Sequence, residues 1–374
     1  MTLSRRKTLA LIGGGTILAA TAGSAAFLAT RTPHVARAPW ALAGSYGEIR
    51  RDALSWALLA PSPHNRQPWQ AELIGDDTLA LWRDPGRALP TTDPQARQLT
   101  IGMGCFIELM RMAAAEAGYG IDLALYPEGE DGPVARARFV PGTGAPDPLF
   151  AHAAARRSCK EPFEDRPVPR ADAEALAPHA RIVSDAPSVE ALRALTWAAW
   201  ETEMRTPAAW KESVDLLRFG KAQIEASPDG IDLSGGIFEV AGPLGLISRA
   251  AILDIDSAGA RQTAQAYRVT MAATPAYAVT VAPGNARADQ IEAGRRWLRL
   301  NLAAAGRGLS LHPVSQALQE YPEMAPHYGA AHEMLAGPGE TVQMLGRLGY
   351  GPAVAQTPRW PLEALLMDTR PDNA

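Results

Sequence analysis

Ala117-Gly118-Tyr119-Gly120-Ile121-Asp122-Leu123 recurs 188 positions later as Ala305-Gly306-Arg307-Gly308-Leu309-Ser310-Leu311, with four of seven residues identical. Each copy closes a long, mostly apolar helical pattern, about 95–117 in one case and 288–305 in the other, and leads within two residues into strand-like sequence. Glycine is the usual residue just past a helix, where a positive φ ends the ladder without a Cβ clash. A helix, a glycine stop and a strand used twice predict one supersecondary unit repeated in a single chain.

Working outward from the first copy, Ile49–Leu59 has helical apolar spacing and stops at Pro61. Residues 70–74 and 78–82 read as a hairpin across Gly75-Asp76-Asp77, and strands follow at 121–126 and 134–140. The Pro- and Gly-rich stretch 141–148 is the best linker. Around the second copy the pattern predicts helices at 171–176, 189–205 and 209–225, and strands at 276–282 and 341–348. Residues 226–262 have no clear period and read as an inserted loop or lid.

The N-terminus is different. Residues 1–38 hold Arg5, Arg6, Lys7, Arg31 and Arg37 and no acidic residue, and the 23 residues Thr8–Thr30 are uncharged. A helix of that length reaches the ~30 Å of a bilayer core, although Gly13-Gly14-Gly15 and many alanines make it only mildly apolar. Twin arginines, a weak apolar stretch and the small-residue site Ala36-Arg37-Ala38 read as a twin-arginine export signal or an uncleaved anchor, and hence as a periplasmic or exported protein. Gly13-Gly14-Gly15-Thr16-Ile17 lacks the last glycine of a dinucleotide-binding turn and follows no strand, so that reading is rejected.

The whole chain has 374 residues and a formal charge of -4; without residues 1–38 it has 336 residues and a charge of -9. So acidic a remainder, without basic and aromatic residues interleaved, excludes nucleic acid as partner and limits membrane contact to the N-terminal segment. His327 and His332, about 140° apart on a helix, cannot chelate one metal from one face, and no metal site is expected. Cys105 and Cys159 pair only if the fold brings them within bridging distance.

Three short stretches carry chemistry. Pro61-Ser62-Pro63-His64-Asn65-Arg66-Gln67-Pro68-Trp69 is a proline-stiffened polar turn after a helix, rich in donors and acceptors. Arg156-Arg157-Ser158-Cys159-Lys160 sets three cations and a hydroxyl in five residues, a combination suited to phosphate. Thr357-Pro358-Arg359-Trp360-Pro361 places one arginine between prolines.

Together these stretches resemble the flavin-dependent nitroreductase family: its P-S-x-x-N-x-Q-P-W loop, its R-x-S-x-K/R opening and its C-terminal K-x-R-x-P, with Thr357 in place of the lysine. The order of the first two is inverted relative to the family, and neither motif occurs twice. In that family each FMN lies between two subunits that supply different motifs. The resemblance therefore implies a tandem fusion: an α+β, nitroreductase-like pseudo-dimer of central antiparallel sheets and long helices, with halves at 39–148 and 149–374 and one FMN site.

On this resemblance Arg156, Arg157, Ser158 and Arg359 hold the FMN phosphate, and Lys160 faces the N1/O2 edge of the flavin. Pro61, Ser62, Pro63, His64, Asn65 and Gln67 line the ring from the other half. Pro313-Val314-Ser315-Gln316 supplies the backbone near N5, so that Lys160, Ser315 and Gln316 are the catalytic candidates, with Arg218 and Lys221 as further ribityl or phosphate contacts. The implied activity is two-electron reduction of a nitro-aromatic, quinone or similar small-molecule acceptor. Because NAD(P)H is not expected outside the cytoplasm, an exported enzyme would draw on a quinol or a protein donor. The alternatives are a flavin-sequestering protein with a lidded site and a structural module without flavin.

Overall fold

A computed structural model describes residues 31–235, 238–239 and 248–367. The twin-arginine run, the uncharged stretch Thr8–Thr30 and the rejected glycine turn lie outside the described residues, as does part of the expected lid.

Two short helices, α1 (His34–Arg37) and α2 (Pro39–Leu42), precede α3 (Ile49–Ala57), whose first N–H groups are capped by the Glu48 carboxylate. The hairpin β1 (Trp69–Ile74) and β2 (Thr78–Arg83) follows, then the 20-residue helix α4 (Arg97–Glu116), β3 (Tyr119–Leu125) and β4 (Ala135–Pro141). These strands form one antiparallel sheet in the order β1-β2-β4-β3.

The second unit starts with α5 (Arg170–Leu176) and β5 (Arg181–Val183). An insertion follows: α6 (Ala186–Arg205), α7 (Pro207–Asp215), β6 (Leu217–Phe219), α8 (Gly220–Ala226), β7 (Ile231–Leu233), α9 (Arg249–Leu253) and α10 (Ala258–Ala272). The unit then resumes with β8 (Ala276–Ala282), α11 (Arg287–Ala305), β9 (Ser310–Pro313), α12 (Ala325–Leu335) and β10 (Thr341–Gly349). Its antiparallel sheet has the order β5-β8-β10-β9. Apart from the insertion and α12, which are found only in the second unit, both units run helix, strand, strand, long helix, strand, strand, and both place the last strand inside the third. The chain is α+β, as the sequence predicts.

The long helices α4 and α11 cross where Gly104 meets Gly294, and a Cβ on either glycine would collide with a backbone carbonyl, that of Ile291 or of Ile101. Only glycine allows so close an approach, and the apolar residues beside the crossing, including Phe106, Trp297 and Leu298, belong to one core cluster that draws on both units. Glu108, 1% exposed, joins the helices through Arg295 and Arg299. Burial alone would raise its pKa, but these arginines hold it below the usual carboxylate value.

The repeat is real in shape and shifted in register. Gly118, at φ 82°, matches Gly308, at φ 68°, while Gly306 is still right-handed helix, so the structural offset is 190 rather than 188. The same offset relates Gly104 to Gly294.

Two other expectations are corrected. The helix expected over 209–225 breaks at Leu217–Phe219, which pairs in parallel with β7, and Gly220 at φ 69° restarts it as α8. The stretch 226–262 is not irregular throughout: it contains β7 and α9 and the start of α10. Ser248 and Ser257 cap those helices, and Trp210 donates to Ile252 O at 3.0 Å.

Residues just before the expected boundary at 38 pack against the rest of the chain: Ala36 is 2% exposed, and Arg37 pairs with Asp232 at 3.6 Å. Cys105 and Cys159 are both buried and unpaired, and burial pushes the Cys105 thiol up to about 12. His327 and His332 bond Thr202 and the Val342 N–H, and no metal-ligating cluster occurs among the described residues. Among them, too, no helix is long and apolar enough to cross a membrane.

Candidate functional site

The three motif stretches meet at the C-terminal end of α3, where carbonyls outside the helical ladder need donors. Arg359 supplies most of them: Nε donates to Leu58 O at 2.6 Å, and Nη2 to Leu59 O and Ala60 O at 3.2 and 3.1 Å. Its Nη1 donates to Asn65 Oδ1 and Pro358 O at 2.8 and 2.9 Å. All five N–H groups are therefore used, and Arg359, 2% exposed, is a clamp between α3 and the 61–69 loop rather than the phosphate ligand expected from sequence. Burial lowers its pKa to about 9, with Arg156 adding to the effect.

Arg156 is the reverse case. It is 2% exposed and donates from Nη2 to Leu59 O at 2.9 Å, while Nε and Nη1 are buried without a hydrogen-bond partner. Burial, reinforced by Arg157, lowers its pKa to about 10, so it remains a cation at neutral pH. Buried N–H groups of a guanidinium are costly to leave unpaired and mark a place for an anion. Arg157 donates to the carbonyls of Ala154 and Arg156 and lies over the Trp40 ring, 4.5 Å from its centroid.

The 61–69 loop is held in an uncommon backbone shape. His64, Asn65 and Gln67 have φ of 47°, 53° and 50°, each costing roughly 1 kcal/mol or more relative to ordinary backbone. Side chains enforce it. Ser62 Oγ accepts the Gln67 N–H at 2.9 Å, Asn65 Nδ2 donates to Pro228 O and Pro358 O at 3.2 Å each, and Gln67 Nε2 donates to Pro228 O at 2.8 Å while its Oε1 accepts the Trp360 N–H. Arg66 pairs with Asp229, which also holds Arg218 at 3.1 Å. The amides of Asn65 and Gln67, expected to line a ring, are thus committed to holding the loop. Pro61, Pro63 and His64 are half-buried on it.

Ser158 bridges Leu311, and the Cys159 N–H bonds Leu311 O at 3.1 Å, so the 156–160 segment runs beside β9. The Lys160 ammonium's pKa is lowered by the protein around it, and Asp232 opposes the shift. Its charge is felt by His64 and by His312. Burial holds His64 down to about 4, against Glu212 and with help from Lys160 and Arg66, and its Nδ1 has no partner. His312 Nδ1 faces the Arg347 guanidinium at 3.0 Å, and burial followed by Arg347 keeps the ring neutral.

Beyond β9, Ser315 Oγ donates to Gln98 Oε1 at 2.9 Å, and Tyr267 Oη donates to Gln316 Oε1 at 3.4 Å. Glu203, 3% exposed, accepts from Ser213 Oγ at 2.5 Å and from Gln319 Nε2 at 3.2 Å, and burial raises its pKa. The remaining two candidates are paired with acids: Arg218 with Asp229, which also holds Arg66 of the loop, and Lys221 with Glu225 at 3.8 Å. Sequence reasoning missed Trp40, Asp229 and Glu203. Only Asp229, in the turn Ser227-Pro228-Asp229-Gly230, carried a local signal.

In sequence the chain is nitroreductase-like. It is 26% identical over 348 residues to a putative NAD(P)H nitroreductase of Mycobacterium tuberculosis, an alignment that covers 85% of this chain and 93% of the relative. A second protein of that organism, the putative NAD(P)H nitroreductase acg, is 34% identical over 84 residues, which is 22% of this chain and only 25% of the relative's length. No protein-family model matches. Similar solved structures include the FMN-dependent nitroreductase NfnB of Mycobacterium smegmatis in complex with NADPH, at 19% identity and TM-score 0.36 over 58% of this chain and 95% of that one. Another is a nitroreductase with bound FMN from Bacteroides fragilis, at 12% identity and TM-score 0.30 over 56% and 92%.

Proposed function

We propose that the protein is an FMN-binding, nitroreductase-like oxidoreductase built as a tandem fusion with one flavin site per chain. The observation that carries this reading is the meeting of three distant stretches, 61–69, 156–160 and 357–361, around a buried guanidinium with two unpartnered nitrogens. A phosphate monoester fits those groups. The sequence likeness to putative NAD(P)H nitroreductases along 85% of the chain supports the class.

FMN, when bound, supplies two-electron transfer to a nitro-aromatic, quinone or similar acceptor. In this reading Arg156 binds the phosphate, with Arg157 and Ser158 beside it. Lys160 presents a cation whose charge reaches His64 and His312, and there it stabilises negative charge on a ligand. The 61–69 loop, cross-linked by Arg359, Asn65 and Gln67, provides a rigid wall, and Ser315 and Gln316 form the edge facing the insertion. The electron donor is a small molecule: NADPH is the first to test, and a quinol is its replacement if the chain is exported through its twin-arginine segment.

Protein purified without added cofactor should be yellow, with FMN released on denaturation. Anaerobic photoreduction followed by rapid mixing with nitro-aromatics and quinones should give fast reoxidation. Bound flavin with uniformly negligible reoxidation would replace the enzyme with a flavin-holding protein, and a colourless chain that takes up no FMN would refute the cofactor assignment.

A further inference from the structure

Residues 34–42 do not trail away from the site; they are laced to it. The Arg359 N–H donates to Ala36 O at 2.7 Å, and Trp40 Nε1 donates to Thr357 O at 2.8 Å, so this segment runs along the stretch that carries Arg359. The Trp40 ring, 6% exposed, receives two of the site's guanidinium groups, Arg157 at 4.5 Å and Arg359 at 5.5 Å from its centroid. Arg37 ties the other side, pairing with Asp232 at 3.6 Å and donating to Ser234 Oγ at 3.3 Å. An aromatic face is one of the few surfaces that stabilises a desolvated guanidinium without neutralising it, which leaves the positive charge free to act on a ligand.

We propose that residues 34–42 are a strap across the arginine pocket, with Trp40 the positioning residue for Arg157 and Arg359, and that retention of a phosphate monoester depends on this strap remaining attached. The proposal rests on the reading of the Arg156 pocket as the FMN phosphate site. It has a direct consequence for processing. Cleavage after Ala38 would remove Ala36 and Arg37, one a backbone partner of Arg359 and the other the tie to Asp232, and would leave Trp40 next to a new charged terminus. The working protein therefore keeps Ala36, whatever happens to the residues before it.

The test compares FMN with riboflavin, which lacks the phosphate, on the full chain. Trp40→Ala should release FMN about tenfold faster than the wild type, as expected for loss of a buried cation–π contact, and change riboflavin affinity less than twofold. Arg37→Gln, which leaves the core intact, should speed FMN release in the same direction by a smaller factor, and Trp40→Phe should restore most of the retention. Intact mass of the protein after expression with its leader should show a chain that includes Ala36. Unchanged FMN release in both Trp40→Ala and Arg37→Gln would overturn the proposal, as would equal losses for FMN and riboflavin, or a chain starting beyond Ala36 that retains FMN like the longer one. If the wild type binds FMN no more tightly than riboflavin, the phosphate assignment itself fails and the strap proposal falls with it.

Discussion

The β1-β2-β4-β3 and β5-β8-β10-β9 sheets share a strand order, and each has one long buried helix, yet they differ in everything attached to them. The first unit passes from β1 to β2 through three residues; the second spends residues 184–275 between the corresponding strands. The strained loop leads into the first unit's sheet, and the Arg-rich segment precedes the second unit's. The shared part packs glycine against glycine at the helix crossing, beside a Glu108 paired with Arg295 and Arg299. The unshared part holds Arg156, buried with unpartnered donors, and the 61–69 loop with positive φ at His64, Asn65 and Gln67. The candidate site therefore lies in segments that the two units do not share.

The comparison is broken most severely at the helix crossing. Gly104→Ala and Gly294→Ala each push a methyl into a backbone carbonyl across the α4–α11 contact, and each should cost roughly 3 kcal/mol, the upper end for overpacking. Chemical denaturation reads this, and similar losses at the two positions would confirm that the units share the crossing equally. Next comes the asymmetric part: Arg156→Ala should weaken FMN binding by ~1.5 to 3 kcal/mol, the value of a charge-assisted hydrogen bond, with little change for riboflavin. Asn65→Ala removes bonds to Pro228, Pro358 and Arg359 and should cost about 1 to 3 kcal/mol of stability, measured by thermal melting, because it also leaves Arg359 Nη1 without its side-chain acceptor.

The smallest effect at neutral pH concerns His64, uncharged there in both the folded and the unfolded chain. Its folded pKa of about 4 lies below the ordinary 6.5 because of burial, so the unfolded chain binds the extra proton between those values. Stability from the neutral ring is complete above pH 6.5 and is lost as pH falls toward 4. Melting temperature followed from pH 7.5 to 4.5 should fall less steeply in His64→Gln than in the wild type; identical slopes would remove His64 from the acid response.

Most of the scaffold is legible in the sequence because helix and strand periods report local burial: α3, α4, α11 and the first hairpin lie within a residue or two of their expected limits. The 209–225 stretch misleads because Leu217–Phe219 is extended by its partner Ile231–Leu233, a contact that a helical period cannot reveal. The register of the repeat misleads because identical glycines do different work: Gly306 is helical and Gly308 is the stop. At the candidate site, motif spelling singled out Arg156 and the 61–69 loop, which the fold brings together at the end of α3. It could not tell Arg156, with donors to spare, from Arg359, with none, since that difference depends on which carbonyls of α3 lie within reach. Trp40 gave no signal because its importance comes from two guanidinium groups more than a hundred residues away in the chain.

The central claim, one phosphate-binding site built from parts of two similar units, is tested most directly by the molar ratio of FMN to polypeptide in purified, flavin-saturated protein. The account predicts one FMN per chain, lost selectively in Arg156→Ala. A ratio of two, or saturation that survives the Arg156 substitution unchanged, would contradict it.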